Sequence, residues 1–185
     1  MGNYTQSRGD TIVEVIMAVA IFSMVAVGAL LIMNKGVAVA QQSLEITLVR
    51  QQIDSQAEMV RYIHDKARKG GGVYESLWSS ILKENLKAPA EIHQAVGSNA
   101  NSCSNIQKSF FLRSSGTSIV KGDASRYENP ETYAKVEDDK SYGISLQLTK
   151  GKKYYDVYVQ ACWYGPSGAI PTTIGTIVRL YDDAA

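Results

Sequence analysis

The residues able to do chemistry are few and scattered. Two cysteines, Cys103 and Cys162, and two histidines, His64 and His93, are the only thiols and imidazoles. They lack the short paired spacings of a four-ligand zinc site, so no metal centre is expected. His64 stands beside Asp65, a pair that could act as base and orienter. On a polar helix face it reads as a solvated pair instead. Glu137, Asp138 and Asp139 form a run of carboxylates without the spaced oxygen ligands of a calcium loop. Lys150, Lys152 and Lys153 beside Tyr154 and Tyr155 could make a basic-aromatic patch for DNA or glycan. A charged hairpin tip over strand-pairing tyrosines is the favoured reading. No G-x-S-x-G, H-E-x-x-H or G-x-x-x-x-G-K-[ST] occurs. Neither catalytic residues nor a cofactor are expected, and the chain reads as a non-enzyme.

One acidic residue has a more telling setting. Glu14 immediately precedes residues 15–33, VIMAVAIFSMVAVGALLIM, which carry no charge. At about 1.5 Å per helical residue that run spans roughly 28 Å, close to the hydrocarbon core of a bilayer. A chain of 185 residues has nothing later that could cover such a helix on all sides, so the run reads as a single membrane span. With 19 Lys+Arg against 18 Asp+Glu, the balance of charge gives no support to a sequence-independent nucleic-acid binder.

Past the apolar run the pattern becomes amphipathic. Ile46, Val49, Ile53, Ala57, Val60, Ile63 and Ala67 recur at three- and four-residue steps, which puts one apolar stripe on one helical face. Gln51, Gln52, Asp54, Glu58, Arg61, Asp65 and Arg68 fall on the other. One helix is therefore expected over residues 10–69, with its span at about 15–33, stopped by Gly70, Gly71 and Gly72. A head follows over residues 70–185. Residues 74–86 read as a short helix with Leu77, Ile81 and Trp78 inward, broken before Ala88 and Pro89. Residues 106–113, 143–149, 154–164 and 173–181 read as strands. Lys150, Gly151 and Lys152 suggest a hairpin in which Gly151 is free to take positive φ. Residues 121–141 read as a polar surface loop. The fold class is α+β, a long amino-terminal helix packed on a small antiparallel sheet.

The residues around the span resemble a type IV prepilin. Arg8, Gly9, Asp10, Thr11, Ile12, Val13 and Glu14, followed by the apolar run, are similar to that family's processing site: a short leader ending in Gly, then Glu as the fifth mature residue. The resemblance implies a pilin-like fold and cleavage by a prepilin peptidase between Gly9 and Asp10. It also implies assembly through Glu14, which would face the new amino terminus of a neighbouring subunit. Two features depart from the family's abundant subunits. Asp10 replaces a bulky apolar residue, which bears on methylation of the new amino terminus, and no proline occurs before Pro89. Both suit a minor pilin or pseudopilin.

Arg8 is the only charged residue of the leader and favours a cytoplasmic amino terminus with the head outside. In that compartment Cys103 and Cys162 either pair, worth roughly 4 kcal/mol in the chain-entropy model, or remain buried thiols. The implied partners are other pilin subunits, the prepilin peptidase, the assembly platform and the cytoplasmic membrane. The leading expectation is a minor pilin incorporated into or priming a surface filament. A pseudopilin of a type II secretion system and a signal-anchored surface ligand-binding protein are the alternatives.

Overall fold

A computed structural model describes residues 10–70, 72–89, 91–92, 103, 107–166 and 170–182. The expected long helix is present as α1, Asp10–Arg68. Gly70 ends it in the left-handed region at φ +75°, its N–H donating to the Ala67 carbonyl at 3.2 Å. That is the cap an L-residue resists and glycine accepts. A second helix, α2 (Val73–Asn85), follows.

The chain divides into two compact units, residues 1–41 and residues 42–185. Within the second, strands β1 (Leu86–Lys87), β2 (Phe110–Ser115), β3 (Ser118–Asp123), β7 (Ile144–Lys150), β8 (Tyr154–Tyr164) and β9 (Pro171–Tyr181) make one sheet. Its order is β3-β2-β7-β8-β9, antiparallel throughout, with β1 added parallel to β7. Alternation decides which face is apolar. Leu146 and Leu148 of β7, and Val157, Val159 and Ala161 of β8, are buried on one side. The α1 stripe forms one cluster with them: Val49, Ile53, Ala57, Val60 and Ile63 are buried, and Ile46 and Ala67 pack at its rim. Trp78 and Ile81 of α2 join that cluster, and Leu77 is half-buried against it.

Residues 121–141 are not the surface loop expected. They contain the end of β3, a 3-10 turn (Ala124–Arg126) and a small second sheet of β4 (Tyr127–Glu128), β5 (Lys135–Glu137) and β6 (Lys140–Tyr142). Ala134 and Ser141 are buried. Short strands rich in Lys and Glu carry little strand propensity, so their pairing was not visible in composition. The hairpin between β7 and β8 is present, but Gly151 is needed there for a different reason. It lacks positive φ; a Cβ on it would sit 2.4 Å from the Tyr154 ring. Close approach of that ring, not handedness, favours glycine at this turn.

Candidate functional site

The first unit is a helix whose apolar side chains have no cover. Among the described residues, α1 is the one helix long and apolar enough to cross a membrane, and none of its most apolar stretch is buried. Phe22 is 73% exposed and Met24 80%. Gly28 has no neighbouring atom within 4 Å of where a Cβ would stand. The one hydroxyl in the run is satisfied internally: Ser23 Oγ donates to the Val19 carbonyl at 2.7 Å. A helix with its backbone and side-chain polar groups closed on itself and an apolar surface all round suits hydrocarbon or other helices, not water.

Glu14 is exposed on this helix, two residues after Ile12, where the apolar exposure begins. All the ion pairs found among the described residues lie in the second unit, residues 42–185. Asp10 is the first residue of α1. Gly9 lies outside the described residues, as do His93 and Ile106, the first residue of the strand expected over residues 106–113; residues 107–109 of that expectation are not strand, with a turn at 107–108. Of the proposed processing and assembly residues, the structure therefore places Asp10 and Glu14 four residues apart on one helix.

In the head, Cys103 and Cys162 are bonded, with Cα atoms 5.4 Å apart and a sequence separation of 59. The bridge ties the segment before β2 to β8. The pairing alternative left open by the sequence is thus resolved in favour of the disulfide.

His64 is not in water. It is 3% exposed, edge-on to Trp78 at 5.1 Å and to Tyr155 at 6.5 Å, and those two rings meet at 5.5 Å. Its Nδ1 lies 3.7 Å from the Asp65 carboxylate, and its buried Nε2 has no hydrogen-bond partner. Burial pushes its pKa below the usual histidine value; Asp65 and Asp182 oppose that and Arg68 adds to it. With Nδ1 toward Asp65 and Nε2 buried without a partner, the ring packs as an aromatic wedge between α1, α2 and β8.

The other sequence candidates are also tied up structurally. Glu137 pairs with Lys135 and Asp139 with Arg126, and Asp138 sits at φ +52° in the turn between β5 and β6. Among the described residues, no three His, Cys, Asp or Glu side chains converge as a metal would need. At the β7–β8 hairpin, Lys150 lies over Tyr155 at 5.6 Å. Arg179 of β9 lies over Tyr154 at 4.2 Å and forks onto both oxygens of Asp156, at 2.8 and 2.9 Å. These are cross-strand pairs that hold the sheet together.

Two positioning contacts escaped the sequence. Gln56 falls in phase with the apolar stripe, three residues after Ile53 and four before Val60. Its Nε2 donates to the Leu112 carbonyl at 2.7 Å, while its Oε1 accepts from the Leu112 N–H at 2.8 Å. β2 pairs with β7 only through Phe110 and Leu146, so the side-chain amide replaces the missing strand beside Leu112. Trp163 Nε1 donates to Glu45 Oε2 at 3.0 Å, closing the far end of β8 on α1. A polar residue inside an apolar stripe was the available signal for Gln56.

No protein-family model matches the chain, and no curated protein or solved structure is significantly similar to it.

Proposed function

We propose that this chain is a pilin-like subunit, a minor pilin, stored in the cytoplasmic membrane through α1 and then built into a surface filament. The observation that carries the reading is an exposed apolar helix segment preceded, in register, by Gly9, Asp10 and Glu14. Cleavage after Gly9 frees an α-amino group four residues from Glu14. A carboxylate next to hydrocarbon is costly, by about 2–3 kcal/mol near the bilayer centre, unless it meets a cation or water. A neighbouring subunit's new amine is such a cation, and pairing with it sets the axial step between subunits. Extraction from lipid costs apolar burial, so the filament must bury nearly the same surface between helices. Ala18, Ala20, Ser23, Ala26, Gly28 and Ala29 let helices approach closely enough to do so. Oxidising conditions outside the membrane suit the Cys103–Cys162 bond.

Asp10 places a second carboxylate beside the new amine, and this favours a minor rather than an abundant subunit. The pseudopilin of a secretion system shares all of this physics and differs in the machine that receives it. The test is Glu14→Gln. It should insert and be processed normally, yet the ratio of protein in sheared filaments to protein in membranes should fall about tenfold, as loss of roughly 1.4 kcal/mol of pairing implies. Incorporation equal to wild type would reduce Glu14 to an interfacial residue. Wild-type protein confined to membranes while filaments are plentiful would favour a surface-anchored ligand-binding protein.

A further inference from the structure

The main sheet of the head has two open ends. Among the described residues, β3 and β9 each pair on one side only. Hydrogen-bond phase identifies the backbone groups left over. The Cys162 N–H donates to the Gly143 carbonyl at 2.8 Å, so even-numbered residues of β8 address β7 and odd-numbered ones address β9. Through the register of Ala161 with Ile174, the even residues of β9 bond to β8. Thr173, Gly175, Ile177 and Arg179 then point their N–H and C=O groups off the edge. At the opposite end, Leu112 turns its backbone toward Gln56, so Phe111, Arg113 and Ser115 bond to β3. Ile119, Lys121 and Asp123 point outward.

Soluble sheets guard a long edge with a lysine, a mid-strand proline, a bulge or a cover. Residues 172–178 of β9, TTIGTIV, carry no charge and no proline. Ile177 is 58% exposed, and Thr173, Gly175 and Thr176 are exposed with it. This stretch has the composition of a sheet interior and the position of an edge.

We propose that the β9 edge receives β3 of a second copy of this chain, continuing the sheet from head to head. Direction supports that occupant. Four antiparallel steps separate β3 from β9, so the two run the same way, and a copy added end to end pairs them in parallel without reversing its polarity. Phase follows from that direction and places no obstacle. In a parallel ladder the outward residues of one strand stand opposite the inward residues of the other. Ile119, Lys121 and Asp123 then meet Ile174, Thr176 and Val178. Those of β3 share their face with Leu112, and those of β9 share theirs with Val157 and Val159, which is the helix-bearing face in both. Both sheets therefore keep their helices on one side. Six residues of β3 match the six of β9 that this register covers. The proposal rests on the filament-subunit reading, takes from it the need for common polarity, and applies where copies of this subunit stand next to each other in the assembly.

The experiment mixes two differently tagged full-length variants, Ile119→Cys and Ile174→Cys, in cells under mild oxidation. A mixed disulfide dimer is expected from the combination, and none from Ile174→Cys alone. Adding Ile177→Pro, which removes an outward N–H and leaves the β8–β9 ladder intact, should cut the mixed dimer about tenfold. Ile177→Ser, which keeps that donor, should not. Both should melt within a few degrees of the parent chain, so that lost cross-linking is not lost folding. No mixed dimer in processed, filament-incorporated protein overturns this proposal and leaves the subunit reading standing. A dimer of Ile174→Cys with itself overturns it in favour of a two-fold β9–β9 pair. A mixed dimer in protein that keeps Gly9 and enters no filament upholds the edge pairing and removes the filament.

Discussion

Two stretches of the same helix follow opposite rules. Over residues 12–44, α1 exposes large apolar side chains all round, from Ile12 and Phe22 to Val39 and Leu44. Over residues 46–67 the apolar side chains fall on one stripe whose centre, Val49, Ile53, Ala57, Val60 and Ile63, is buried, while Asp54, Glu58 and Arg61 face water. The chemical material is similar, Val, Ile, Leu and Ala in helical spacing. The difference is where the partner comes from. The second stretch meets β7 and β8 of its own chain. The first has no such partner among the described residues, and its length and composition suit lipid or other helices. Sorting a helix by whether its apolar face is satisfied internally separates a folding surface from an assembly surface.

Substitutions should respect that division. Ile53→Asp buries an unpaired charge in the head and should cost about 5 kcal/mol, enough to unfold it at ordinary temperatures; circular dichroism melts check this. Removing the Cys103–Cys162 bond by paired serine substitution should cost about 4 kcal/mol by the loop-entropy model, read as a lower denaturant midpoint. Gln56→Ala strands the Leu112 N–H and carbonyl and should cost about 2–3 kcal/mol. The same denaturant series measures it, and a change under about 0.5 kcal/mol would show that the β2 backbone finds other partners.

The next effect is read as a slope. The unfolded chain protonates its histidines near pH ~6.5, whereas buried His64 does so only at lower pH. The unfolded state therefore binds more protons as pH falls through that window, and the stability present above it is progressively lost. His64→Phe should flatten the dependence of melting temperature on pH between about 7.5 and 5 relative to the parent. Identical slopes would mean that His64 is protonated as easily in the fold as out of it. Smallest of all is Phe22→Ser. It should leave the melting of the head unchanged while weakening retention in membranes, measured by carbonate extraction. A shifted melt would break the division between the two stretches.

Legibility in the sequence followed the range of the interactions. α1 and its stripe were readable because helical periodicity is local, and Tyr154–Tyr164 emerged with the expected boundaries because it alternates and is bounded by turn residues. β2 came out as Phe110–Ser115, later than expected, because Ser114 and Ser115 look like turn residues until the hairpin through Gly116 is seen. β3 was hidden by Lys121 and Asp123, whose charges are met by Glu84 of α2 and by each other. His64 looked solvated because Trp78 and Tyr155, which bury it, arrive from other elements. At the exposed apolar segment, residue types were legible but partners were not, since an unsatisfied surface does not name what covers it.

The central claim is that residues from Asp10 onward are an assembly segment released by cleavage. The most direct test is the mass of the amino-terminal peptide of the native protein recovered from the cell envelope. The account predicts a peptide beginning at Asp10, with or without a methyl group on its amine, and accumulation of the uncut chain when Gly9 is replaced by a bulky residue. A native peptide that still carries residues 1–9 would contradict it.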